Sequence, residues 1–559
     1  MNKTMTPALR GRTAIGLACL ILTACGGGSD STPATPAPVT PPVAGGGTTT
    51  PPVTPAPAPA PEVKLLSGGV TRFAAKDSKL AFEVQIKPNF TPTGTLFVSA
   101  SDKAGAIAAP VAVTAGTDGS YVLALETAAG TPAGHYTGDI TLKLCADTAC
   151  ATPQAVASVA VPYDLTVLAS STAWPGDRLT PLTPWTDVPD WTTFQGNPAH
   201  TGYVPVEIKP DQLLPRWKYG PINPVSNPYM SYGNSATLVA TDGIFYGAGS
   251  NLLKARKEYD GSVVWSYDVS GMTNPSVNPP AIANGVVYMA AGQGTSTLFA
   301  FDATSGAVRF RTALGYSSSY DAILAPVAVG NTVYVNAGSY TGLFAFSSVG
   351  EQLFNSRTAQ SSTWTPAVDD NAVYTFDGTL QVIDRKTGNV LVTARDNNTS
   401  MYGSQINGAP VLGATGNLFV ARYANANSST ANNELLKFNT AKGYVDWRIA
   451  GNYPLTPAYA GGLLYAPNNT PYRVEVRAEG DGALQWSWTP QQASETSWAG
   501  EPVVTKNLLF VSTNLATYAI DLRTHKAVWS YPAAGRLALT RSGILYIQST
   551  DALVAFNVK

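Results

Sequence analysis

Hydrophobic and polar positions in the C-terminal two-thirds of the chain repeat a short phrase: a turn residue, two apolar or β-branched residues, then an aromatic. The eight copies are Gly243-Ile244-Phe245-Tyr246, Gly285-Val286-Val287-Tyr288, Asn331-Thr332-Val333-Tyr334, Asn371-Ala372-Val373-Tyr374, Gly416-Asn417-Leu418-Phe419, Gly462-Leu463-Leu464-Tyr465, Asn507-Leu508-Leu509-Phe510 and Gly543-Ile544-Leu545-Tyr546. A short apolar strand precedes most copies, as in Pro280-Ala281-Ile282, Pro366-Ala367-Val368 and Pro502-Val503-Val504. A third strand, a tight turn and a fourth strand ending in an aromatic follow, as in Leu298 to Asp302, Gly306 and Phe310, or Leu435 to Asn439, Gly443 and Trp447. In the seventh unit His525 stands where the turn Gly would be. Asp or Asn before the turn bonds backbone N–H groups two residues on, and Gly supplies the positive φ. No amphipathic helical period of useful length interrupts these signals.

The aromatics recur about every 36 to 46 residues, the spacing of four short strands in one propeller blade. The last unit, Leu537 to Lys559, has only three strands. An open edge there would be aggregation-prone. Leu214 to Tyr219 carries a fourth-strand pattern with no strands before it. The expected fold is all-β: an eight-bladed β-propeller over residues 191–559, closed by an N-terminal strand in its last blade.

Residues 63–168 read as a separate all-β module. Lys79 to Ile86 and Tyr121 to Leu125 alternate as strands with one buried face, between Gly and Pro turns. Length and pattern predict an immunoglobulin-like sandwich. Cys145 and Cys150 bracket a hairpin tip and predict a local disulfide in an oxidising compartment. Residues 169–190 form a Pro-rich connector.

The N-terminus reads as an address. Lys3, Arg10 and Arg12 precede an apolar run from Ala14 to Leu22 that is too short to span a membrane. Leu22-Thr23-Ala24-Cys25 matches the bacterial lipobox. Residues 1–24 are therefore expected to be a signal peptide and Cys25 the lipidated mature N-terminus. By resemblance to enterobacterial sorting, Gly26 after that Cys implies the outer membrane. Residues 26–62 are mostly Gly, Pro, Thr, Ala and Val. Such a segment cannot bury a core and reads as a tether, with a reach between roughly 35 and 110 Å.

Charge adds little. The chain has 35 basic and 36 acidic residues, and losing Lys3, Arg10 and Arg12 leaves it mildly acidic. No basic run points to nucleic acid.

The repeat units, with the lead-in Trp191 to Tyr203, resemble BamB-like pyrroloquinoline-quinone (PQQ)-type propellers, over roughly residues 190–559. The resemblance implies the propeller fold. It also implies one of two functions, because this fold serves quinone enzymes and non-catalytic scaffolds alike. Alcohol-oxidising members hold PQQ with calcium and carry two adjacent cysteines. This chain has no such pair, no long blade insertions and no dense Asp, Glu and Asn group for a calcium cage. Three histidines, His135, His200 and His525, are too scattered for a metal site. Asp260-Gly261 and Asp481-Gly482 read as hairpin turns. The sequence thus points to no catalytic residue and no metal ligand.

One constellation remains. Loops from a fourth strand to the next blade carry aromatics among small polar residues: Tyr232, Tyr320, Trp364, Tyr402, Tyr453 and Trp498. If exposed, they would ring one channel mouth, suited to gripping peptide or stacking on sugar. The first expectation is a non-catalytic, lipid-anchored envelope scaffold with a protein partner, placed by the BamB resemblance near outer-membrane protein assembly. The alternatives are a glycan- or polymer-binding surface lipoprotein and a PQQ-dependent dehydrogenase.

Overall fold

In the computed structural model, strand and turn signals resolve into hairpin after hairpin. The structure describes residues 59–559 apart from 76–79, 110, 169–173, 221–237, 250, 273–274, 276, 293–294, 317–324, 338–340, 358–364, 377, 396–403, 407–408, 425–432, 491 and 550–551. Cys25, the signal segment and most of the tether lie outside the described residues.

Among the described residues, residues 214–559 form eight consecutive antiparallel sheets, each a meander. The first sheet comprises Leu238–Thr241, Ile244–Gly249, Leu252–Lys257 and Val263–Asp268, and the second Ala281–Ala283, Val286–Ala291, Thr295–Asp302 and Val308–Tyr316. In the fifth, Ser404–Ile406 and Val411–Leu412 both pair with Asn417–Ala424. The eighth holds Arg536–Thr540, Ile544–Gln548 and Leu553–Asn557, and its fourth strand is Leu214–Tyr219, with Trp217 opposite Ala555. The closing strand comes from the far end of the propeller sequence, so no edge is left open where the chain ends. This is the β-propeller that the repeat spacing predicts.

The repeated aromatics fasten one sheet to the next. In five units the turn Gly lies on the fourth-strand aromatic of the sheet before it; in the fifth sheet Gly443 meets Val392 instead. A Cβ at Gly306 would come within 2.6 Å of Trp265, at Gly350 within 2.7 Å of Phe310, and at Gly388 within 2.5 Å of Phe354. These glycines also have positive φ, so both backbone and contact demand Gly. The indole N–H groups complete the dock: Trp265 donates to Ala303 O, Trp217 to Glu258 O and Trp447 to Glu479 O. At the seventh sheet His525 adopts φ 59° and stacks on Trp486, with ring centroids 4.2 Å apart. A flat ring there replaces the Gly contact with a face-to-face one.

Residues 63–168 form two further four-stranded sheets. One holds Val63–Leu65, Ala81–Pro88, Tyr121–Glu126 and Ala112–Ala115; the other holds Val70–Ala75, Pro153–Leu168, Gly134–Cys145 and Phe97–Ser101. Their alternating residues, among them Val84, Ile86, Leu123, Ile140, Leu142 and Leu144, share one core. Cys145 and Cys150 are disulfide-bonded, with Cα atoms 5.0 Å apart.

The two-sheet module rests against the propeller. Arg72 is buried and donates to the carbonyls of Ala527 (2.8 Å) and Val528, on the outermost strand of the seventh sheet, Lys526–Tyr531. Burial pulls the Arg72 pKa down to about 9, so it is still charged at neutral pH. Phe73 packs edge-on against Tyr531 and Phe556, and Lys526 pairs with Glu83 at 2.8 Å. Phe73 belongs to the same core as Trp217, Trp529 and Tyr546. The module that reads as separate in the sequence thus shares a core with the ring closure.

Candidate functional site

The axis of the ring is where propellers concentrate their chemistry, and the lead-in runs into it. Its backbone bonds the innermost strands of successive sheets. Ala240 N–H donates to Trp191 O (2.7 Å), Ile282 N–H to Thr192 O (2.8 Å), Val368 N–H to Pro198 O (2.8 Å) and Leu412 N–H to Ala199 O (3.0 Å). Tyr459 N–H donates to Thr201 O and Val504 N–H to Gly202 O, both at 2.8 Å. The Thr193 hydroxyl completes the series on the third sheet by donating to Pro326 O (3.1 Å). A segment of Thr, Gly, Asn, Pro and Ala suits this task, because small side chains let backbone approach backbone. Gly202 is required outright: φ is 60°, and a Cβ there would sit 2.8 Å from Pro502 O.

Two rings fill the middle. Phe194 is fully buried, 5.8 Å edge-on from His200 and 5.9 Å from the Arg536 guanidinium. Arg536, on the first strand of the eighth sheet, pairs with Glu501 at 3.2 Å. His200 is also fully buried, and burial pushes its pKa down to about 4. Its Nδ1 lies 3.0 Å from Pro410 O, a pure acceptor, so Nδ1 carries the proton. Nε2 is then the acceptor facing the Thr365 hydroxyl at 3.5 Å. A neutral imidazole with a fixed tautomer and no open face is a packing element, as its place in the lead-in predicts.

This level of the axis is therefore filled by the chain itself. It does not fit a planar quinone with calcium: the groups at the centre are Phe194, His200 and backbone already bonded to strands. Among the described residues, no group of three or more His, Cys, Asp or Glu side chains is placed to hold a metal ion.

The loop aromatics divide. Tyr232, Tyr320, Trp364 and Tyr402 lie outside the described residues. Tyr453 and Trp498 are buried, which corrects their expected place on an open binding face. The Tyr453 hydroxyl donates to Glu475 Oε2 (2.8 Å), and its ring packs between the fifth and sixth sheets with Leu435 and Leu464. The Trp498 indole donates to Asn468 O (3.2 Å) and lies 4.6 Å from the Tyr472 ring. Each polar tip found a partner inside, so the flat apolar body went inside with it.

Sequence reasoning missed the buried charges. Glu475 sits between Arg473 and Arg477, bonded to each at 2.7 and 2.6 Å, and these partners with the Tyr453 hydroxyl hold its pKa down against burial. Glu495 is buried with only hydroxyl and amide donors, from Thr513, Tyr518 and Gln492, and burial raises its pKa. Glu258, facing Ser542 and Tyr546, is raised for the same reason. The Arg-x-Glu-x-Arg alternation on one strand face was the available signal for the first. Nothing local marks the other two.

The rim contrasts with the axis. On the outermost strands Val263, Leu353, Leu391, Tyr444 and Leu484 are exposed, Leu391 by 58%. On the seventh sheet, where Arg72 docks, Ala527 is buried.

The chain is similar to several known proteins. The chain is 23% identical over 463 residues to tetrathionate hydrolase of Acidithiobacillus ferrooxidans, covering 72% of this chain and 85% of that one. It is 31% identical over 169 residues to the serine/threonine-protein kinase AfsK of Streptomyces griseus, spanning 30% of this chain and 17% of the kinase. Among solved structures it is similar to BamB from Moraxella catarrhalis, at 17% identity and a TM-score of 0.45, over 58% of this chain and 94% of that one. The family model described as outer membrane protein assembly factor BamB matches residues 249–487 and 426–559, more than half of the chain. The chain belongs to this BamB-like family of PQQ-type β-propellers.

Proposed function

We propose that this protein is a non-catalytic scaffold of the bacterial envelope, anchored through lipidated Cys25, whose propeller binds a protein partner and serves outer-membrane protein assembly or a related envelope task. The observation that carries the reading is the axis: the lead-in occupies the innermost strands of the BamB-like propeller and leaves its loops and rim as the working surfaces. The outermost strands of the first six sheets also carry exposed apolar residues, one or two to a sheet. No cofactor enters this reading. The glycan alternative loses the two aromatic platforms found buried.

In-cell crosslinking and capture of the full chain tests it. Specific envelope proteins should co-purify and disappear when residues 191–559 are deleted. Recovery of no specific protein contradicts the reading.

A second reading rests on the tetrathionate hydrolase relative, whose likeness spans 85% of that enzyme. Under it the chain is a hydrolase of sulfur oxyanions. Breakdown of tetrathionate by the purified chain would favour that reading over the scaffold; no turnover removes it.

A further inference from the structure

The sheets repeat, so each sheet-to-sheet contact can be checked against its siblings. At the contact between the first and second sheets, Tyr267 on the outermost strand of the first packs on Phe299 and Phe301 of the second, at 5.5 and 4.8 Å. The contact between the eighth and first sheets, where the ring closes, is built on the same register. Tyr219 stands opposite Leu553 as Tyr267 stands opposite Leu253. Lys254 and Arg256 stand opposite Gly247 and Phe245, as Phe299 and Phe301 stand opposite Met289 and Val287. Tyr219 accordingly packs on two cations, 5.8 Å from Lys254 Nζ and 4.3 Å from the Arg256 guanidinium.

No other sheet does this. The two positions hold Phe344 and Phe346 in the third sheet, Gln381 and Ile383 in the fourth, Leu436 and Phe438 in the fifth, Tyr518 and Ile520 in the seventh, and Val554 and Phe556 in the eighth. The sixth is the internal control. It has Arg477 at one position and Glu475 at the other, so its cation is neutralised within the pair. At the closing contact neither cation has an ion-pair partner among the described residues, and Arg256 is buried. Its one side-chain hydrogen bond there goes to the Gly261 carbonyl, at 2.8 Å.

The closing contact also lost volume. Gly247 stands where the second sheet has Met289 and the third Val335. The result is a cleft of about 210 Å³, lined by Phe245, Leu252, Lys254 and Arg256 from the first sheet and by Tyr219 and Leu553 from the eighth. A dry cavity of about 150 Å³ holds benzene. Burying charge without a counter-charge is costly, and a cleft beside buried Arg256 and half-buried Lys254 is where an anion relieves that cost.

We propose that this cleft at the closing contact binds a small organic carboxylate, its charge between Lys254 and Arg256 and its apolar body against Phe245 and Leu553. The site is independent of the scaffold reading and lies away from the plugged axis.

Titration calorimetry on the full chain at low salt tests it, with benzoate as probe, benzyl alcohol as its neutral counterpart and sulfate as an anion without an apolar body. Benzoate should bind saturably, at least tenfold tighter than either, and weaken as salt rises. Lys254→Gln should cost at least tenfold. Gly247→Met, which restores the second sheet's residue where a Cβ meets only Leu238 at 3.9 Å, should abolish binding. Both variants should keep the wild-type urea midpoint, which separates lost binding from lost fold. No saturation by benzoate below about 10 mM, equal binding of benzyl alcohol or of sulfate, or wild-type affinity in Lys254→Gln would each overturn the proposal.

Discussion

The axis and the rim of this propeller are held by opposite means. At the axis, one segment of small residues gives its carbonyls to innermost strands sheet by sheet, around a buried core of Trp191, Phe194 and a neutral histidine, His200. At the rim, side chains hold the edge of the seventh sheet, with Arg72 on two strand carbonyls and Lys526 on Glu83, while the described outer strands of the first six sheets leave apolar residues in solvent. At the axis the lead-in carbonyls are taken up by strand amides. The rim is covered at the seventh sheet by Arg72 and at the eighth by the connector, where Arg178 N–H donates to Arg216 O (3.0 Å).

Four perturbations probe that contrast. Phe194→Ala should act most strongly, destabilising by about 3–5 kcal/mol, because it empties a fully buried ring site at the centre; equilibrium urea unfolding reads it. Next is acid. The His200 pKa is depressed from 6.5 to about 4, so its contribution is present above pH 6.5 and is lost as pH falls toward 4. The loss should reach about 3 kcal/mol. His200→Gln should unfold with a smaller difference between pH 7.5 and 4.5 than the wild type, and an unchanged difference would remove His200 from the acid response.

Arg72→Met, at the rim, should cost about 2 kcal/mol, since two strand-edge carbonyls lose a charged donor. It should also raise hydrogen exchange over residues 526–531 and leave the lead-in untouched. The smallest effect belongs to Lys526→Ala. Its pair with Glu83 is partly exposed and should contribute under about 1 kcal/mol, less in high salt.

Much of this architecture was legible because its determinants are local. The turn residue, two apolar positions and aromatic of Gly285 to Tyr288 specify strand, register and dock within one phrase, and the orphan strand Leu214 to Tyr219 announced its partner by having no other. What could not be read was set by residues far along the chain. Tyr453 looks the same in sequence whether its ring faces water or turns inward; Glu475, on another strand, decides it. Nothing local marks Arg72 as buried, because the carbonyls it binds are more than 450 residues away. The lead-in was visible as an opening segment, but its role as an axial plug depends on amides contributed by most of the sheets.

Those amides offer the most direct test of the plugged axis. Ile282, Val368, Leu412, Tyr459 and Val504 donate inward to the lead-in. Native-state hydrogen exchange of the full chain should find these five amides, and the segment 191–204, as protected as the centres of the sheets. Exchange of the five at the rate of surface turns, while their sheets stay protected, would mean that the axis is open and would contradict this account.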